Sequence, residues 1–272
     1  MKKKWTATTS YFFAISALAI SFSLLPAKSF AATPLVNKTV EYGTTTKFEG
    51  YFVSPKAAKK NTPGILMIHN WKGVTEETKK QADRFASLGY HVFAADIYGK
   101  GVRPTEAKDA GAQATIYKTD RKLFRERIRL GMDELVKLQG NEQIVVAGYC
   151  FGGTAAIEAA RSGAKILGAI SFHGGLDSPT PADGKNIKGK VLALHGAIDP
   201  YVPAAELAAF EKEMQDSNVD YQLVKYGGAV HSFTELGAGT DNSKGAAYND
   251  TADKRSFAAA ADFLKEAFAK AK

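Results

Sequence analysis

Thiols are nearly absent from this chain: Cys150 is its single cysteine. An intramolecular disulfide framework is therefore excluded, so the fold must hold through its core. Long hydrophobic runs are scarce as well. The charge-free apolar stretch Tyr11 to Leu25 covers about 15 residues, short for a membrane span. No basic tract rises above the solvated face of a helix, which leaves nucleic-acid binding without support. Internal repeats and domain linkers are also missing.

The N-terminus carries an address. Lys2, Lys3 and Lys4 precede the apolar stretch, and Ser29-Phe30-Ala31 offers a small-x-Ala cleavage site before Ala32. Residues 1–31 read as a secretory signal peptide, with an uncleaved anchor as the alternative. No cysteine near the cleavage point invites lipidation. The expected location is periplasmic or secreted. Four lysines and no acids lie in this segment, leaving 32 basic and 28 acidic residues, so the formal charge falls from +8 to +4. The remaining 241 of the 272 residues suit one large α/β domain over 32–272.

Apolar runs alternate with helical patterns along that domain. Gly64 to His69, His91 to Ala95, Ile144 to Ala147, Ile166 to Phe172, Val191 to His195 and Tyr221 to Tyr226 read as strands. Thr39 to Tyr51 suggests one or two antiparallel strands at a sheet edge. Helices are expected over Thr75 to Leu88, capped by Thr75 and stopped by Gly89, and over Asp120 to Gln139, stopped by Gly140. Two more start at Thr154 and Pro203, and the last carries Phe257, Ala261, Leu264 and Phe268 as a stripe. The pattern implies an α/β fold: a mostly parallel sheet of about seven to eight strands, helices on both faces.

The single cysteine stands in Gly148-Tyr149-Cys150-Phe151-Gly152-Gly153, between a predicted strand and a predicted helix. Small residues around a sharp strand-to-helix turn are the setting of a nucleophile elbow, here with a thiol in place of the usual serine. Asp199 follows the strand ending at His195, and His231 follows the strand ending at Tyr226. Nucleophile, acid, histidine is the chain order of the α/β-hydrolase fold. The plainer alternatives are a small buried thiol at 150 and an Asp199 that only caps the turn before Pro203. Asp96 is a rival acid. His69, His173 and His195 also end strands; without short H-x-x-x-H spacing they read as partners of loop carbonyls rather than metal ligands.

With these residues in place the chain resembles the dienelactone hydrolase family, from about Gly64 to Phe268. The resemblance rests on His69-Asn70-Trp71-Lys72-Gly73, Leu88-Gly89-Tyr90, Asp96-Ile97-Tyr98, the Cys150 elbow, His195-Gly196-Ala197-Ile198-Asp199, His231-Ser232-Phe233 and Ala247-Tyr248. It implies a Cys150-Asp199-His231 triad that hydrolyses small-molecule esters or lactones without a metal or organic cofactor. Two positions depart from the family pattern. Members acting on dienelactone carry a glutamate where Asn70 stands, and an arginine four residues after the histidine where Glu235 stands. Both departures argue against dienelactone itself.

The expected chemistry is attack by Cys150, proton transfer through His231 and orientation of the imidazole by Asp199. The backbone N–H groups of Phe151 and Trp71 are the candidate oxyanion donors. Tyr98, Arg103, Tyr149 and Phe233 are candidate pocket residues, with Arg103 a possible carboxylate receptor. Asn70 would orient the thiol proton or a water. A thioesterase or amidase with the same triad, or a non-catalytic binding or redox-sensing protein, are the competing functions. Sequence leaves monomer and homodimer open.

Overall fold

Residues buried on both faces of a sheet need no polar alternation, and the five-residue runs in the middle of this chain obey that rule. The computed structural model describes residues 1, 2, 4 and 33–269. The expected cleavage site, and most of the expected signal peptide, lie outside the described residues. In chain order the elements are β1 (Leu35–Tyr42), β2 (Phe48–Pro55), β3 (Gly64–Ile68), α1 (Glu76–Ala86), β4 (His91–Ala95), α2 (Ala107–Thr119) and α3 (Arg121–Gln139). They continue as β5 (Ile144–Tyr149), α4 (Phe151–Arg161), β6 (Gly168–Phe172), β7 (Lys190–Gly196), α5 (Ala204–Asp216), β8 (Tyr221–Tyr226) and α6 (Asp250–Ala269).

Among the described residues, eight strands form one sheet in the order β1-β2-β4-β3-β5-β6-β7-β8. β1 and β2 are antiparallel, β2 meets β4 antiparallel, and all later pairings are parallel. Side chains alternate between the two faces. Leu66, Ile68, Val146 and Ala193 point toward α2 to α5, where Phe124, Ile128, Ala155 and Phe210 meet them. Ile65, Met67, Val145, Leu192 and Leu194 point toward α1 and α6, against Phe85, Phe263 and Leu264. No helix among the described residues is long and apolar enough to cross a membrane.

Local signals explain both ends of α3. Asp120 caps α3 by accepting from the Leu123 amide at 2.9 Å, and Gly140 closes it at φ +75°. Thr75 precedes α1 but makes no side-chain cap; Glu76 and Glu77 supply the favourable charge of the first turn. The helix α2 has no counterpart in the sequence reading. Its segment is rich in alanine, and only Ala110, Ala114 and Tyr117 turn inward. At the far end of α4, Arg161 is fully buried. It donates to Glu213, Glu158 and the carbonyls of Leu176 and Asp177 at 2.6–3.0 Å.

Candidate active site

The turn from β5 into α4 is forced by close packing. A methyl group on Gly148 would lie 2.0 Å from the Gly152 carbonyl oxygen, and one on Gly152 would lie 2.1 Å from that of Ile68. Only hydrogen fits at either position. Between them Cys150 adopts φ +55°, ψ −114°, a conformation costly for a residue with a Cβ. Strain of this kind is stable only when the surroundings over-determine it. The side chain is left half-buried at the carboxyl edge of the sheet.

The loops after β7 and β8 deliver the other two expected residues to the same edge. His231 Nε2 lies 3.1 Å from Cys150 Sγ, and His231 Nδ1 lies 2.8 Å from Asp199 Oδ2. The second Asp199 oxygen accepts from the Tyr201 amide at 2.8 Å. One carboxylate thus organises its own turn and also meets the imidazole. The His231 backbone is tied to the late segment noted in the sequence: its amide donates to Gly245 and its carbonyl accepts from Ala247. Burial would lower the basicity of His231, but the negative charge of the Cys150 sulfur and the hydrogen bonds to Asp199 and Cys150 win, and its pKa rises to about 10. In its protonated form the ring donates from both nitrogens.

Phe151 opens α4, so its amide has no acceptor one turn earlier in the helix. The Trp71 amide likewise meets no backbone or side-chain acceptor among the described residues. Both residues line one cavity of about 250 Å³ with Cys150 and His231. A second cavity of about 290 Å³ adjoins it, bounded by Trp71, Cys150, Tyr201, His231, Ser232 and Ala246.

Four expected pocket residues stand elsewhere. Tyr149 is one position before Cys150 in an extended strand and so points to the opposite face, stacked on Phe172 at 4.4 Å. Phe233 is fully buried on that same side. Tyr98 is buried, its ring packed on His69 at 4.7 Å and its hydroxyl donating to the Trp71 carbonyl at 3.1 Å. It supports the loop behind Trp71. Arg103 is consumed by the carbonyls of Val74, Glu49, Gly99 and Val102 and by Asp96, so no donor remains for a substrate carboxylate. Asn70 lines a neighbouring cavity of about 280 Å³, where it donates to Glu235 Oε1 at 3.1 Å and accepts from the Lys72 amide at 3.0 Å. Its amide is spent on Glu235, whose pKa burial raises.

Asp96 is no rival acid: it accepts from the amides of Glu49, Tyr98 and Gly99 at 3.0–3.1 Å. His69 meets the carbonyl expected of it, that of Asn70 at 2.6 Å, and accepts from the Ile97 amide. Burial lowers its pKa to about 4. His173 differs. It sits at φ +39°, its Nε2 meets the Thr234 hydroxyl at 2.8 Å, and its ring packs edge-on against His231 at 5.2 Å. Among the described residues no group of three His, Cys, Asp or Glu is disposed to hold a metal ion. Residues that the sequence reading missed complete the first cavity: Ala114, Thr115 and Lys118 from α2, with Tyr201 and Val202 after β7.

A parallel sheet extended by an antiparallel β1–β2 pair, with its candidate site at the ends of β5, β7 and β8, is the architecture of an α/β-hydrolase. Comparison with known proteins narrows this further. The family model described as "Dienelactone hydrolase family" matches residues 48–268. The chain belongs to that family, and it is a hydrolase. It is similar to the solved structure named m3DLH, at 31% identity and a TM-score of 0.82 over 86% of this chain and 98% of the other. A dienelactone hydrolase-like promiscuous phosphotriesterase from metagenomic libraries is also 31% identical, with a TM-score of 0.80 over 87% and 99%. Among curated relatives, protein usf of Aquifex pyrophilus is 28% identical over 69% of this chain and 82% of its own length.

Proposed function

We propose that this protein hydrolyses carboxylic ester and lactone bonds of small molecules through a thioester on Cys150. The single observation that carries the reading is the hydrogen-bonded line from Asp199 through His231 to the sulfur, 2.8 Å and then 3.1 Å. With the proton on Nε2, sulfur attacks the carbonyl carbon as thiolate. The displaced electron pair moves onto oxygen, which the Trp71 and Phe151 amides receive; loss of one such donor typically costs about 3 kcal/mol of barrier. Collapse expels the alkoxide, which takes the Nε2 proton. Water then gives a proton to His231 and its oxygen to the thioester carbon, and the thiolate leaves. In a lactone the released alcohol stays tethered to the acid.

Turnover of p-nitrophenyl acetate and of a simple γ-lactone tests this, with an acyl adduct on Cys150 trapped by acid quench and read by mass spectrometry. Cys150→Ala is expected to abolish both. Full activity in that variant defeats the mechanism. Iodoacetamide labelling of Cys150 without any turnover would favour a binding or redox-sensing role, and preference for thioesters or amides would move the substrate class. We read residues 1–31 as an export signal; a mature N-terminus at Ala32 in the exported fraction is the expected result, and an intact cytoplasmic chain would refute it.

A further inference from the structure

The two cavities that meet at Cys150 differ in chemistry, and the mechanism assigns each a half of the substrate. His231 Nε2 protonates the departing oxygen; His231 and Trp71 line both cavities and Ser232 and Ala246 only the second, to which the leaving group is assigned. The acyl half then lies in the first, beneath the Trp71 and Phe151 amides. That cavity is largely apolar near the sulfur, through Trp71, Phe151 and Val202. At its far end stands Lys118, its one charged side chain apart from the triad.

Lys118 is exposed and, like most lysines among the described residues, pairs with no carboxylate; what sets it apart is that it is the one lysine lining this cavity. Lys79, Lys100, Lys137, Lys190, Lys212, Lys254 and Lys265 each pair with a carboxylate. Among the described residues no carboxylate lies within 4.0 Å of the Lys118 ammonium, and no acceptor takes its hydrogen bonds. Asp177, on the loop after β6, is held by Arg121 at 2.5 Å. The ammonium lies by the cavity wall at Gly175, where a methyl would sit 3.6 Å from it and 3.4 Å from Asp177 Oδ1. The hydroxyls around it are occupied: Thr115 donates to Gly111, Thr154 to Gly175 and Tyr201 to Lys244. The neighbouring cavity beyond Trp71 holds two carboxylates, Glu235 and Glu77, with one ammonium, Lys72.

We propose that Lys118 determines specificity, by pairing with a carboxylate at the end of the substrate's acyl chain. The substrate class is the half-ester of a dicarboxylic acid, entering with its anion toward α2 and its alcohol toward Ser232. This rests on the hydrolase reading above. It also turns the substrate relative to an anion on the alcohol side, where Glu235 would repel it.

Two matched substrates test it: the mono-p-nitrophenyl ester of adipic acid and p-nitrophenyl hexanoate, equal in chain length. Wild type is expected to favour the adipate ester. Lys118→Ala should reduce that preference about fivefold through KM, the effect of an ion pair near the surface, and Lys118→Glu should invert it. Hydrolysis of p-nitrophenyl acetate, which carries no carboxylate, should change less than that of the adipate ester in both variants, and 0.5 M salt should shrink the wild-type preference. An equal ratio of the two esters in wild type and both variants overturns the proposal. A readout without turnover separates it from the mechanism: adipamate should protect Cys150 from iodoacetamide better than hexanamide does, in wild type but not in Lys118→Ala. Equal protection also overturns it, whether or not the protein proves to be an esterase.

Discussion

Cys150 stands on a turn where two glycines touch neighbouring backbone, whereas His231 stands on the chain between β8 and α6, whose regular pieces are two short 3₁₀ turns. The sulfur is positioned by volume. The imidazole is positioned by hydrogen bonds: to Asp199 and the sulfur from its ring, and to Gly245 and Ala247 from its backbone. The two halves of one proton path should therefore fail differently, the first under added atoms and the second under removed donors or acceptors.

The largest effect is expected at the rigid half. Gly152→Ala drives a methyl into the Ile68 carbonyl, and backbone cannot yield as a side chain can, so about 3 kcal/mol or more of stability should be lost. A urea midpoint within error of wild type would mean that the turn has slack. Next comes the charge linking the two halves. Cys150→Ala removes the negative neighbour and a hydrogen bond, leaving burial to oppose Asp199, so the His231 pKa should fall from about 10. Ring NMR titration reads this directly, and an unmoved value would show that the sulfur charge is not its main support.

On the histidine side, Thr234→Val leaves the buried His173 Nε2 without its partner, at a cost of about 1–3 kcal/mol. Because His173 packs against His231, kcat should drop more than KM; a change in stability with intact kcat would confine His173 to a structural role. The smallest effect is set by Glu235. Burial raises its carboxyl pKa, so the folded state keeps that proton to higher pH than the unfolded chain does. The associated stability is present at low pH and lost as pH climbs through the raised value. Glu235→Gln has no such loss. Its urea midpoint should match wild type near pH 4 and exceed it at pH 7, and parallel curves would show that the carboxyl titrates normally.

Much of this molecule was legible in its sequence, for reasons that also mark where legibility stopped. The inner strands announce themselves because a doubly covered strand has no room for polar side chains, as in Gly64 to Ile68. The elbow is legible because hydrogen alone fits at Gly148 and Gly152. Misjudged pocket residues fall into two kinds. Tyr149 was readable by strand periodicity, since Val145, Ala147 and Tyr149 share the face opposite Val146. Arg103 was not, because its carbonyl partners at Glu49 and Val74 are distant in sequence. The helix α2, with no apolar stripe to betray it, concealed Lys118 and the outer wall of the cavity.

Arg161 gives the elbow a remote anchor. The guanidinium, fully buried, locks the tail of α4 to two carboxylates and two carbonyls, so the direction in which the thiol is aimed is fixed from the other end of its own helix. Anyone reshaping this pocket by random libraries should expect inactive clones whose lesions map to residue 161 or its acceptors. A lysine there, with one compact ammonium, cannot span the same four partners.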